Sequence, residues 1–205
     1  MTDSSLLMTF LTQIVIATSN HGKFVELEAA LKNLNVELLT LKQFPRIPEA
    51  PEEGNSFAEI AIRKAAFYYE QIQLPVLAED SGLSIPALGG FPGTLSARVA
   101  STDADRIRTI LEKLKDVKDR SAFFLCSMVF MTSVKTTQAE GRCDGFITES
   151  PRGTLGFGYD PVFQPEGSSH TFAEMNLQEK AIYSHRARAL LQLLPQIKNR
   201  IQNNP

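Results

Sequence analysis

"IATSNHGKFVELEAAL", residues 16–31, decides how this chain is read. Ile16 and Ala17 close an apolar run that starts at Ile14, and Phe24, Leu27, Leu31 and Leu34 then recur at the spacing of one helical face. The stretch therefore reads as strand, turn and helix, the helix running from about Lys23 to Leu34. The turn is crowded: Thr18, Ser19, Asn20, His21, Gly22 and Lys23 bring hydroxyls, free backbone N–H groups and one ammonium to a helix N-terminus, where anions are favoured. Such a turn suits a triphosphate. It is not a P-loop, because Ala17 stands where the first glycine belongs and Phe24 where a hydroxyl would follow the lysine. Taken alone, it also fits an ordinary capped helix start.

The rest of the chain extends this opening into an α/β protein. Pro45, Pro48 and Pro51, with Glu52 and Glu53, mark a loop. "SFAEIAIRKAAFYYEQ" (56–71) then reads as a helix capped by Ser56 with Glu59 three residues on. "LPVLAED" (74–80) reads as a short buried strand ending in acid. Pro86, Pro92 and the glycines between Gly82 and Gly93 predict turns rather than strand. A helix is expected over Asp103–Lys115, capped by Ser101 or Thr102. "AFFLCSMVFM" (122–131) reads as a central strand, and the more alternating "TQAEGRCDGFIT" (137–148) as its half-exposed neighbour. "TFAE" (171–174) has capping-box form, and the last helix starts at Ser184 and should bend or end at Pro195. No repeat or linker divides the chain. The expected fold is a mixed, twisted sheet with flanking helices, with residues 1–13 a loose extension before a single domain from 14 to 205 and Met8 a conceivable alternative start.

Composition narrows the class. The chain has 205 residues, 43% hydrophobic and 21% charged, with a formal net charge of -2. These values disfavour disorder and a polyanion-binding surface, so nucleic acid is not an expected partner. Cys126 and Cys143 form no CxxC pair and suggest neither a disulfide framework nor zinc, which points to a reducing, cytoplasmic setting. "LLMTFL" (6–11) is too short to span a membrane, and no basic residue precedes Lys23 to open a secretory signal.

Several residues can carry chemistry. Carboxylates at a strand end beside phosphates would be repelled unless a hard divalent ion such as Mg²⁺ bridged them, so Glu79 and Asp80, with Glu52 and Glu53 upstream, argue for a metal or else form a solvated turn. Lys64 points either toward the same phosphates or into water. "GFGYDP" (156–161) suits a loop that offers a flat ring to a base, or a turn with core aromatics. Lys180, Ser184, His185 and Arg186 bring donors together at a helix start. Fixed donors accept the 6-oxo group of a deaminated purine and oppose the amino group of adenine; such a site can discriminate by factors as large as roughly 10⁴.

At this point the chain resembles the inosine triphosphate pyrophosphatases, also called XTP/dITP diphosphatases. The resemblance spans most of the sequence and rests on four motifs in order: "TSNHGK" (18–23), "EDSGLSIPALGGFPGTLSAR" (79–98), "GFGYDPVF" (156–163) and "EKAIYSHRARAL" (179–190). It implies a two-lobed mixed α/β fold around a central cleft, a homodimer, and Mg²⁺-dependent hydrolysis of ITP, dITP or XTP to the monophosphate and pyrophosphate. By motif, Thr18, Ser19, Asn20, His21, Gly22 and Lys23 would take the triphosphate with Lys64. Asp80 would be the principal acid and, with Glu52, a metal ligand. Ser81, Phe157, Gly158, Tyr159 and Asp160 would shape the nucleoside pocket, and Lys180, His185 and Arg186 would read the base. The chain departs from the family where Ile60 replaces an asparagine expected to order the acidic loop or metal waters, where Glu79 replaces the first of two aspartates, and where Val99 replaces an aromatic after "SAR". Two other readings follow: a pyrophosphatase for other modified nucleotides in the same fold, and a catalytically silent nucleotide-binding module.

Overall fold

The computed structural model describes residues 12–202. Strands β1 (Thr12–Ala17), β2 (Val36–Thr40), β3 (Val76–Ser84), β4 (Ser121–Met131), β5 (Thr136–Ile147) and β6 (Phe163–Pro165) form one sheet in the order β2-β1-β3-β4-β5-β6. Helices are α1 (His21–Leu31), α2 (Phe57–Ile72), α3 (Asp103–Lys113), α4 (Leu177–Tyr183) and α5 (His185–Gln202). β1 pairs in parallel with β2 and β3, whereas β3, β4, β5 and β6 pair antiparallel in turn. The mixed sheet expected from sequence is thus present. Among the described residues no helix is long and apolar enough to cross a membrane.

The buried core falls into three clusters. On one face of the sheet Ile14, Ile16 and Leu77 pack against Leu27 and Leu31 of α1 and Leu190, Leu193 and Ile197 of α5. On the other face Val15, Ala17 and Ala78 pack against Ala61, Ala65 and Tyr68 of α2. A separate cluster gathers Leu83 and Ile85, Phe124, Ile110 of α3, and Phe163 and Phe172. β3 and β4 are long enough to run through both regions. A strand covered on both faces reads as a continuous apolar run, which is why "AFFLCSMVFM" was legible as central.

The structure corrects several expectations. β1 begins at Thr12, so Thr12 and Gln13 belong to the sheet; the remainder of the expected extension, with Met8, lies outside the described residues. α1 starts at His21 rather than Lys23 and stops at Leu31, with Leu34 held in the following turn by a bond from its N–H to the Leu31 carbonyl (2.9 Å). β2 and α4, both short, had no clear periodic signal. β3 does not stop at Asp80 but pairs with β4 as far as Ser84, opposite Phe123. Gly82 belongs to that strand because a Cβ there would lie 2.3 Å from Ser96 Oγ, so this glycine admits a close approach rather than making a turn. Pro195 does not end the last helix: α5 passes through it to Gln202, because Leu193 and Ile197 on either side are buried. Proline removes a single helical hydrogen bond, and burial of neighbouring side chains offsets that cost.

α5 is seated on β5 at one tight point. The Glu140 and Arg142 carbonyls accept bonds from Gln192 Nε2 and Arg188 Nη1, each 2.6 Å long. Between them, a Cβ on Gly141 would fall 2.0 Å from the His185 carbonyl oxygen and 2.4 Å from Ala189 N, both backbone atoms that cannot swing away. Gly141→Ala is therefore expected to lower stability by about 1–3 kcal/mol; a denaturation midpoint equal to wild type would show that α5 is not seated at this residue.

Candidate active site

β1 ends at Ala17, opposite Ala78, while β3 continues for six more residues with β4 as its neighbour. The space left beyond the C-terminal end of β1 is a cavity of about 570 Å³. Open α/β sheets commonly hold ligands outside the carboxyl ends of their parallel strands. The cavity collects Thr18, Ser19, Asn20 and Lys23 from the first turn, Glu52 and Lys64 from α2 and its leading loop, and Asp80 and Ser81 from β3. Phe157, Gly158, Tyr159, Asp160, Lys180, His185 and Arg186 line its other end. Two expected residues are placed differently. His21 is exposed and does not line the cavity; Gly22 lies behind it, where a Cβ would fall 2.2 Å from the Phe157 ring. The turn is also a capped helix start: Asn20 Oδ1 accepts from the Lys23 N–H at 3.1 Å, and Thr18 Oγ1 from the Asn20 N–H at 3.2 Å. Cap and cavity wall are the same residues, so the two sequence readings of this turn do not exclude each other.

Adjacent strand residues face opposite sides of a sheet, and Glu79 and Asp80 divide accordingly. Asp80 lines the cavity on the α2 side. Its burial raises the pKa, Lys23 and Lys64 pull it down, and Glu79 and Glu52 push it up again, leaving it at about 6. Lys64 Nζ donates to Glu52 Oε1 at 2.7 Å. Burial alone would lower the Lys64 pKa, but that bond and the Glu52 charge more than offset it, and the same pair holds the Glu52 carboxyl down against its own burial.

The acidic loop is ordered without the missing asparagine. Ile60 is buried beneath Gly54, where a Cβ would meet its Cγ1 at 2.9 Å. Arg98 Nη1 donates to the Glu52 carbonyl (3.1 Å), Arg63 Nη1 to the Glu53 carbonyl (3.2 Å), and Glu59 Oε2 accepts from the Asn55 N–H (2.9 Å). Packing and two arginines hold the loop backbone.

At the other end charges alternate through the interior. Asp160 pairs with Lys180, Lys180 with Glu26 (2.7 Å), Glu26 with Arg186 (2.5 Å), Arg186 with Glu79 (3.1 Å) and Glu79 with Lys23 (3.3 Å). These neighbours hold Glu79 well below the usual carboxylate range against its complete burial. Asp160 is occupied structurally, its Oδ2 accepting from the Phe157 N–H (2.9 Å) and Lys180. Tyr159 is a core residue whose hydroxyl donates to the Ser96 carbonyl (2.9 Å). Phe157 is the half-buried ring of the loop, 4.8 Å beneath Lys180 Nζ. His185 stacks on Phe124 at 4.7 Å with 9° between planes; burial first, then the Arg186 charge, push its pKa well below the ordinary value, so it is neutral. Its Nδ1 is buried and has no partner among the described residues.

Sequence reasoning passed over Glu26, Arg98 and Phe124. Glu26 lies one helical turn after Lys23 and beside the core residue Leu27, the single signal that could have marked it.

Comparison with known proteins follows the same residues. The sequence pattern of the Ham1 family matches residues 14–196. A dITP/XTP pyrophosphatase of Prochlorococcus marinus is 43% identical over 92% of this chain and 94% of its own length. One from Thermus thermophilus is 45% identical over 91% and 92%. The structure of a HAM1 protein from Coxiella burnetii superposes with a TM-score of 0.82 at 38% identity, covering 92% of this chain and 100% of that one. Because the family match runs from β1 into α5 and takes in every element that lines the cavity, the chain belongs to the Ham1 family.

Proposed function

We propose that the cavity hydrolyses deaminated purine nucleoside triphosphates such as ITP, dITP and XTP to the monophosphate and pyrophosphate. The observation that carries this reading is the division of one cavity into two ends: Asp80 among Lys23 and Lys64 at one, and a wall of anchored donors beside Phe157 at the other. Relatives over nearly the whole chain are dITP/XTP pyrophosphatases.

In this reading Lys23, Lys64 and the N–H groups of the first turn hold the triphosphate and neutralise charge on the departing pyrophosphate. Asp80, ionised, takes a proton from the water that attacks the α-phosphorus. The new P–O bond forms as the bond to the bridging oxygen breaks, and pyrophosphate leaves with that oxygen's electrons. Phe157 lies against the base. Lys180 donates to Asp160 and is ion-paired with Glu26, so its ammonium is held in place at the base-facing end of the cavity. Donors held this rigidly favour a 6-oxo group over an amino group.

A Mg²⁺ ion fits the residues present. Asp80 and Glu52 are hard oxygen donors on the same cavity. That suits an ion usually held by one or two carboxylates plus substrate phosphates and water. Asp80 and Glu52 would hold it, and it would supply charge neutralisation and acidification of water. The packing of Ile60 under Gly54 supports an ordered acidic loop and favours catalysis over the binding-only reading. A homodimer working in the cytoplasm belongs to the same proposal.

Turnover of ITP and ATP side by side in Mg²⁺, with pyrophosphate and phosphate detected separately, tests the reading: pyrophosphate from ITP alone supports it, and ITP binding without turnover restores the silent module. Asp80→Asn should reduce kcat by roughly 10²–10⁴-fold. The same change should stabilise the fold. A carboxyl raised from 3.8 to about 6 costs stability as pH rises through that interval and reaches its full cost, roughly 3 kcal/mol, above it. The variant's higher melting temperature at pH 8 should therefore disappear near pH 4; equal melting curves at pH 8 would contradict the buried charge. In kcat/KM for ITP at limiting Mg²⁺, an acidic limb is expected near pH 6, moving lower as Mg²⁺ is raised because a cation favours the ionised carboxylate. Arg186→Ala should bring the ITP and ATP values of kcat/KM closer together, and an unchanged ratio would place base recognition elsewhere.

A further inference from the structure

Glu79 does not line the cavity, yet it reaches both ends of it. Its Oε1 forms an ion pair with Lys23 Nζ at 3.3 Å and accepts a hydrogen bond from Arg186 Nε at 3.1 Å. Lys23 belongs to the first turn of α1 and Arg186 to the first turn of α5, so one oxygen atom joins elements far apart in the chain. Its Oε2 is held differently. Cys126 Sγ donates to it at 3.1 Å, and Arg186 Nη2 approaches at 3.5 Å while also donating to Ser81 Oγ at 3.0 Å. On β4, Cys126 lies opposite Ser81 and two residues from Met128, the partner of Glu79, so thiol and carboxylate share one face of the sheet.

The thiol sits where it can act only as a donor. Cys126 is fully buried, and burial followed by the Glu79 charge pushes its pKa well above the ordinary thiol value, so the proton stays on sulfur. The last torsion of a glutamate side chain is broad, so the long bond from Arg186 Nη2 to Oε2, at 3.5 Å, leaves the carboxylate room to turn. The nearer thiol donor on that oxygen narrows the range. We propose that Glu79 is a positioning residue that ties the base-facing end of the cavity to its triphosphate end, with the Cys126 thiol setting the carboxylate's rotation so that one oxygen serves both cations. What each end binds rests on the function proposed above; the shared oxygen does not.

Cys126→Ala removes the donor, and Cys126→Ser restores one at similar size. Affinities for ITP and ATP are measured by calorimetry in EDTA, and exchange of the Arg186 Nε–H is followed by NMR. The alanine variant is expected to lose about three- to tenfold of the ITP-over-ATP affinity ratio and to exchange the Nε–H faster. The serine variant should recover both. An alanine variant equal to wild type, or a serine variant as impaired as alanine, overturns the proposal, the latter because the thiol would then only fill space. Should Cys126→Ala fail to fold, Glu79→Gln, which keeps the shape, must show the loss of ratio, and an unchanged ratio there also overturns it. If wild-type protein bound ITP no better than ATP, the proposed function would fall, while the Nε–H difference between alanine and serine would still decide the positional claim.

Discussion

Three carboxylates and three cations alternate through the interior from Asp160 to Lys23, and the site depends on this chain of ion pairs. The members come from five parts of the sequence: the loop before β6, α4, α1 with both Lys23 and Glu26, β3 and the start of α5. Burying such charges is costly unless every one is paired, and removing a single partner strands the next, a loss typically of about 3–5 kcal/mol. The network therefore gives less to stability than to uniqueness of arrangement. α1, α4, α5 and the loop of Phe157 can satisfy their charges together in only one relative placement.

That constraint explains why the two adjacent acids of β3 differ. Glu79 faces the network and is held ionised by Arg186 and Lys23 against burial. Asp80 faces the cavity, where the lysines only partly offset burial and two neighbouring carboxylates, and its proton affinity rises. Strand alternation places two carboxylates one residue apart in opposite electrostatic environments, one paired with buried cations and one facing the cavity.

Much of this was legible from residue patterns and much was not. The β-turn-α opening, the Ser56 and Thr102 caps and the central character of β4 follow from local periodicity and hydrogen bonding, and all appear in the structure. The end of β3 was misread because Gly82 looks like a turn residue in sequence, while in the fold it lets the Ser96 turn pack against the strand. Of the two outcomes expected at Pro195, a bend or an end, the helix does not end there, because a helix-breaking preference of one residue yields to the burial of Leu193 and Ile197. For the site, the candidate residues other than His21 and Gly22 line the cavity, yet their individual duties differ: Asp160 and Tyr159 hold the loop together rather than face a ligand freely. Ile60, where the family has an asparagine, is buried against Gly54.

The sequence by itself determined the class of fold, the position of the anion-attracting turn and the set of residue types available for chemistry, because these depend on neighbours a few positions apart. Tertiary structure alone decided which of those residues share a cavity, which are spent on one another, and that Glu26 and Cys126 belong among them. Charge pairing and burial act between residues distant in the chain. Whether a lysine meets a carboxylate, a ring or a ligand is fixed only when the strands that carry them come together.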